Sequence, residues 1–192
     1  MNLIEVRVPF VVDRQAVDDV ERGSQDSDWQ PVKYAAQQIA KVEDRAIFEG
    51  YPEAGITGLR AASSNAGESL PDDVRQYPEA VTRAVSQLRL AGVDGTYVLV
   101  LGARPYALVS EAVDHGYPVR EHLMRTGVSE IVWAPAIEGG FVLSTRGGDF
   151  ELHLGQDLSI GYLSHDATSV QLYLQESLTF LAYTAEAVVA LS

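Results

Sequence analysis

Cysteine is absent from the 192 residues. That removes thiol nucleophiles, disulfide frameworks and cysteine-ligated zinc, and it fits a reducing compartment. Basic charge is scarce: 14 Lys and Arg stand against 27 Asp and Glu, a net charge of −13. Such a chain repels nucleic acid and anionic lipid unless a basic patch intervenes, and it has no run of basic residues. No apolar run approaches the roughly 20 residues that a membrane helix needs. The opening MNLIEVRVPFVV has no positive leader region and no small-residue cleavage site, so no signal peptide is expected. Neither nucleic acid nor membrane is an expected partner, and the expected location is the cytoplasm. Signature sequences are also missing: there is no G-x-G-x-x-G after a strand, no Walker sequence, no H-E-x-x-H and no G-x-S-x-G. No catalytic residue, metal or cofactor is expected.

What the chain does have is apolar residues, 46% of the total, enough for a core without disulfides or metal. Its longest unbroken helical pattern runs from Asp28 to Gly50. Val32, Ala35, Ile39, Val42 and Ala46 recur at three- and four-residue steps and form one stripe. Asp26, Ser27 and Asp28 can cap its start, Pro31 suits the first turn, and Gly50 suits the end. A helix of that length, about 30 Å, is a spine on which other elements can lie.

Around this spine the chain reads in order. Leu3 to Val12 is a strand, placed at an edge or in an extended arm because Pro9 cannot donate to a ladder. Asp13 caps a short helix that ends at Gly23. Tyr51 to Asp73, rich in Gly, Ala, Ser, Asn and Pro, is a long irregular connection with a subdomain border inside it. Pro78 opens a helix that closes at Gly92, and TYVLVL from Thr96 is a strand covered on both sides. A helix (Arg104 to Val113), a loop (Asp114 to Pro118), a short helix (Val119 to Arg125) and two strands (Glu130 to Ala134, Phe141 to Thr145) complete a middle α/β layer. Beyond Gly148 the period becomes two: Phe150 to Leu154, a Gly155-Gln156 turn, Leu158 to Tyr162, a polar loop from Ser164 to Ser169, then Val170 to Leu174 and Leu178 to Ala182. These are antiparallel strands with one face buried, and the apolar tail AEAVVALS is packed. The fold class is α+β.

A few residue groups could carry chemistry. His153 shares a strand face with Asp149 and Glu151 at metal-compatible spacing, but a polar strand face explains it more simply. His165 and Asp166 read as a turn. Asp18, Asp19 and Glu21 read as a charged helix surface. His115 and Tyr117 flank Gly116 in a loop that can line a ligand site or pore, or be an ordinary surface loop.

Several segments carry a family resemblance. DDVERGSQDSDWQPV, KVEDRAIFEG, LRLAGVDG, DHGYPVREHL, IVWAPAIEGGFVLSTRGGDFELHLGQDLSIGYLSHD and VQLYLQESLTFLAYTAEA, in that order and across about Leu3 to Leu191, resemble the encapsulins. These are shell proteins of bacterial nanocompartments, once labelled linocin-type bacteriocins, and the actinobacterial members are the most similar. The resemblance implies the HK97 phage-capsid fold with peripheral and axial subdomains. It implies self-assembly into an icosahedral shell around cargo, a dye-decolorising peroxidase or ferritin-like protein captured by its C-terminal targeting peptide. On this basis residues 1–12 are the remnant of an extended loop, 13–59 and 148–192 are peripheral with the spine helix at 28–50, and 60–147 are axial. DHGYPV matches the five-fold pore loop, making His115, Gly116 and Tyr117 pore-lining candidates. Asp157, Leu158, Ile160 and Tyr162 match the interior wall beside the cargo-peptide site, although a plain core role fits their apolar members equally.

The chain departs from the family pattern at its start. Relatives begin with an N-terminal helix, an arm and the outgoing strand of the extended loop. Here the sequence starts at the returning strand. The expectation is an N-terminally truncated fold with weak or lost cargo binding, and assembly that stops at small oligomers or forms an altered lattice, because an unpaired apolar strand is a sticky edge. Gln15 stands where some relatives carry an aromatic residue near bound flavin, so no flavin is expected. Two alternatives remain: a bacteriocin- or protease-like hydrolase using His115 or His165 with a nearby serine, and a monomeric or small-oligomer binding domain.

Overall fold

The structure, a computed structural model, describes residues 3–192. In chain order, β1 (Ile4–Asp13) leads to α1 (Arg14–Glu21) and α2 (Gln30–Phe48). The short ladder β2 (Gly50–Tyr51) and β3 (Ile56–Thr57) and the one-turn α3 (Leu59–Ala62) follow. Next come α4 (Tyr77–Leu90), β4 (Tyr97–Leu101), α5 (Ala103–Glu111), the strands β5 (Val113–Asp114) and β6 (Tyr117–Pro118), α6 (Val119–Met124), β7 (Val128–Trp133) and β8 (Gly140–Ser144). Two long strands, β9 (Phe150–His165) and β10 (Ser169–Ala182), precede the closing β11 (Val188–Leu191). The chain forms two compact units. One takes the chain up to Glu43 and again His153–Thr179; the other takes Asp44–Leu152 and Phe180–Ser192.

The first unit is a three-stranded antiparallel sheet, in the order β1, β10, β9, backed by helices. Val8, Phe10 and Val12 lie opposite Leu174, Leu172 and Val170. Alternation sends these side chains to one face, where Phe10, Val12 and Leu174 pack with Ala35 and Ile39 of α2, and with Val17 of α1 and Val32 at the margin. Each large side chain so buried contributes about 1.5–3 kcal/mol relative to exposure. Pro9 sits in β1 at the sheet edge, where a missing N–H costs least. Asp13 caps α1 by accepting from the Gln15 N–H at 2.7 Å, and Asp28 accepts from the Gln30 N–H at 2.9 Å.

The spine helix is thus shorter than its sequence pattern at both ends. Its stripe also differs at one place. Ala35, Ile39 and Ala46 are buried, whereas Val42 is 40% exposed and Glu43 is half-buried in its stead. Positions 42 and 43 both fall near the stripe at 100° per residue, so the period alone does not separate them.

The closing strands are longer than expected. The Gly155-Gln156 turn does not exist; β9 runs through it without a break. Glycine stands there because a Cβ at Gly155 would lie 2.8 Å from both Leu3 Cδ1 and Ser177 Oγ. It serves close packing rather than chain reversal, against two side-chain ends that can shift. The stretches Val170 to Leu174 and Leu178 to Ala182 likewise merge into β10, and the polar loop shrinks to a tip at Asp166, whose carboxylate accepts from the Thr168 and Ser169 N–H groups at 2.7 Å each. Those bonds hold its pKa down to about 2.

The second unit centres on a four-stranded mixed sheet in the order β11, β8, β4, β7. All five residues of β4 are buried, as a strand covered on both faces must be. Val81, Ala84, Val85 and Leu88 of α4 pack with Leu99, Leu101, Leu123, Val142 and Val189 to form its core. The apolar tail, which the sequence reading places with the closing strands, instead pairs antiparallel with β8, Val189 opposite Val142. Tyr51 to Asp73 is less irregular than expected, since it holds β2, β3 and α3. Gly50 and Gly58 meet there, back to back.

Candidate functional site

Two surface features carry the residues singled out from the sequence. The first is the β5–β6 hairpin of the second unit. Val113 pairs with Pro118 and Asp114 with Tyr117, which leaves His115 and Gly116 as the two-residue turn. Their φ angles, +47° and +88°, are the left-handed pair that a tight hairpin requires. Glycine meets this freely, and His115 is the only non-glycine with positive φ among the described residues. A histidine held in that conformation is a place to look for function. Its ring is almost fully exposed, with Nε2 3.8 Å from the Asp114 carboxylate. Tyr117 is 60% exposed, and its ring meets His122 edge-on at 6.3 Å. Tyr117, Glu121, His122 and Arg125 line a crevice of about 310 Å³ at the base of the hairpin. Glu121 and His122 lie in the DHGYPVREHL segment without a role of their own there; with Arg125 they come into view because α6 follows the hairpin directly.

The second feature is the edge strand β9 of the first unit. Leu158, Ile160 and Tyr162 are 49%, 61% and 58% exposed. The intervening Ser159 and Gly161 are half-buried, Gly161 lying against the Tyr173 ring. The three apolar side chains therefore form one ridge at two-residue spacing. The plain core role does not hold for them, since all three are exposed, while Phe10, Val12, Ala35, Ile39 and Leu174 form a buried apolar cluster in this unit. Asp157 is exposed beside the ridge, its carboxylate accepting from the Leu158 N–H at 2.7 Å.

On the neighbouring strand β10 lies a group that no sequence pattern marks. Glu176, opposite Val6 in the ladder, is 5% exposed, and its Oε1 is buried without a hydrogen-bond partner. Burial pushes its pKa up, and the Glu43 and Asp157 carboxylates push it further. The native state thus holds this proton more tightly than the unfolded chain does. Stability falls as pH rises from the ordinary glutamate range, about 4.3, through the raised native value. Glu176→Gln is expected to stabilise the protein by about 1 kcal/mol at pH 7 and to have no effect near pH 4. Thermal unfolding at the two pH values measures this.

The other candidates are placed plainly. Asp149 is bound by Arg146 and Glu151 accepts from the Tyr183 hydroxyl at 2.8 Å, so neither carboxylate is presented as a ligand beside His153. No cluster of three or more His, Asp or Glu able to hold a metal occurs among the described residues. His165 Nδ1 faces the Tyr162 hydroxyl rather than a serine. Asp19 pairs with Arg22 at the surface. A cavity of about 870 Å³ in the second unit is lined by Arg45, Glu49, Arg60 and the 135–139 loop, but Glu49 occupies Arg60 with two bonds of 2.7 and 2.9 Å.

Comparison with solved structures defines the class first. The chain superposes over 99% of its length on a virus-like particle subunit from Pyrococcus furiosus, covering 77% of it, at a TM-score of 0.69 and 17% identity. It superposes over 97% on the capsid protein of Myoviridae phage XM1, covering 72% of it, at a TM-score of 0.61 and 10% identity. The fold is that of the HK97-type capsid proteins. The family follows from sequence: a model described as "Encapsulating protein for peroxidase" matches residues 1–179. Over 190 residues the chain is 67% identical to the type 1 encapsulin shell protein of Rhodococcus erythropolis and 62% identical to that of Mycobacterium tuberculosis, in each case 99% of this chain and 72% of the relative. The chain belongs to the encapsulin shell-protein family.

Proposed function

We propose that this chain is a structural subunit that assembles with copies of itself into an icosahedral nanocompartment in the cytoplasm and encloses a cargo enzyme, a dye-decolorising peroxidase or a ferritin-like protein. The observation that carries this reading is the identity of 60% or more to four type 1 encapsulin shell proteins across nearly the whole chain. The family description, which names a peroxidase as what is enclosed, supports the first of the two cargoes. A subunit of this kind works by complementary contact under symmetry, not by catalysis. Of the two histidines that a hydrolase could use, His115 lies beside Asp114 and His165 is turned to the Tyr162 hydroxyl.

In this reading residues 13–59 and 148–192 are peripheral, 60–147 axial, and 1–12 the remnant of an extended loop. His115, Gly116 and Tyr117 line a pore, a role that suits an exposed, tightly turned hairpin. Asp157, Leu158, Ile160 and Tyr162 receive the C-terminal targeting peptide of the cargo, a role that suits a water-exposed apolar ridge. The net charge of −13 disfavours nucleic acid as cargo. Multi-angle light scattering and negative-stain electron microscopy of the purified chain are expected to show species larger than a monomer, whether small oligomers or an altered lattice. A monomer at every concentration overturns the assembly reading for this chain.

A further inference from the structure

Every side-chain amine of the chain lies on one helix face. Only two of the 14 basic residues are lysines, Lys33 and Lys41, and both belong to α2. Eight residues apart, they stand about 12 Å from each other along the helix and about 80° apart around it. Both are exposed, and between them lie exposed Gln37 and the 64% exposed Tyr34. The face points away from the apolar cluster that takes Ala35 and Ile39 of the same helix. Six arginines form ion pairs within the chain, and neither lysine does among the described residues.

The opposite charge is concentrated just before this helix. Asp18, Asp19, Glu21, Asp26 and Asp28 fall within eleven residues, against one cation, Arg22, which Asp19 holds at 2.6 Å. Asp28 is engaged at the start of α2. Glu21 and Asp26 are exposed and form no ion pair among the described residues. One copy thus carries two complementary patches that do not meet within it. A contact between different patches is the head-to-tail kind, which closes rings and shells. Each patch also has apolar surface to exclude water, Tyr34 on one and the 42% exposed Val20 on the other. Nucleic acid is a poorer occupant, since two amines stand against a net charge of −13.

We propose that the outer face of α2 in one copy docks on the acidic stretch of a second copy, Lys33 and Lys41 facing Glu21 and Asp26. The inference rests on the reading of the chain as a self-assembling subunit and names one of its contacts.

The scarcity of lysine makes the test direct. The associated full chain is treated with a carbodiimide, which joins an amine to a carboxylate only where they touch. The covalent dimer is cut from a denaturing gel and its links are mapped by mass spectrometry. Lys33 or Lys41 is expected to be joined to Glu21 or Asp26, with the yield falling at high salt. Lys33→Glu with Lys41→Glu is expected to weaken association about tenfold, and so is Glu21→Lys with Asp26→Lys. All four changes in one chain are expected to restore it. Circular dichroism checks the fold; if charge reversal costs helix signal, Lys33→Gln with Lys41→Gln takes its place, with a smaller expected loss. In an associated chain, absence of those links overturns the proposal, as do variants that associate as tightly as the parent, and the shell reading then stands. A chain that is monomeric at every concentration overturns both.

Discussion

Gly58→Ala is expected to cost 3 kcal/mol or more and to lower the midpoint of thermal unfolding by about 10 °C. The reason is geometric. A Cβ built on Gly58 lies 2.2 Å from the backbone nitrogen of Gly50 and 2.4 Å from the carbonyl carbon of Glu49. Neither atom is the end of a flexible side chain, so nothing can rotate away. The β2–β3 ladder, in which Gly50 pairs with Thr57, must open. The bidentate pair between Arg60 and Glu49 sits on the same two segments and moves with it. Gly67→Ala is the control: its Cβ meets only the Ala190 carbonyl, at 3.6 Å, an ordinary contact. It is expected to change stability by no more than about 0.5 kcal/mol. Equal midpoints for the two variants would show that the close approach at Gly58 does not constrain the fold.

The same pair of glycines shows why part of the fold was hidden in the sequence. Tyr51 to Asp73 reads as an irregular connection because its order comes from backbone-to-backbone packing, which leaves no period. Gly50 reads as a helix end, and its φ of +92° agrees, but its Cβ-free face also serves Gly58 eight residues on. Gly155 misleads in the opposite sense: a glycine before a polar residue signals a turn, yet here it lets Leu3 and Ser177 approach an unbroken strand. Where burial follows a simple period, the sequence is a good guide. The run Tyr97 to Leu101 is wholly buried as expected, and Asp13 caps α1 as its position suggests. The candidate surfaces were legible in a different way. Local periodicity could not say whether Leu158, Ile160 and Tyr162 face a core or water, because alternation marks a face without saying what covers it. Glu176 was invisible for a related reason: an acidic residue between Leu174 and Leu178 looks like an interruption of the pattern, and only the third dimension puts Glu43 and Asp157 near it.

The second large effect is expected at the start of β9. The Asp149 side chain is 4% exposed, and the guanidinium of Arg146 holds it with bonds of 2.9 and 3.0 Å. Arg146→Ala leaves that carboxylate buried without its cation, a change that costs about 3–5 kcal/mol. The hydrogen bonds from Arg146 are the largest cause of the lowered Asp149 pKa, with Thr184 and Ser144 adding to it against the opposing effect of burial. With the native pKa below the unfolded value of about 3.9, the pair stabilises the fold fully above that value, and the contribution is lost as pH falls through the native one. The parent is therefore expected to lose stability as the pH is taken from 5 towards 2. Arg146→Ala starts much lower and changes less over that range, since the group responsible for the lowered pKa is gone. Asp149→Asn removes the charge while keeping the shape, so combining it with Arg146→Ala is expected to recover part of the loss. Urea unfolding at pH 7 and pH 3 across the four proteins measures the coupling directly. If Arg146→Ala matches the parent at pH 7, solvent rather than the guanidinium stabilises the Asp149 charge; its near-complete burial in the folded unit argues that it does not.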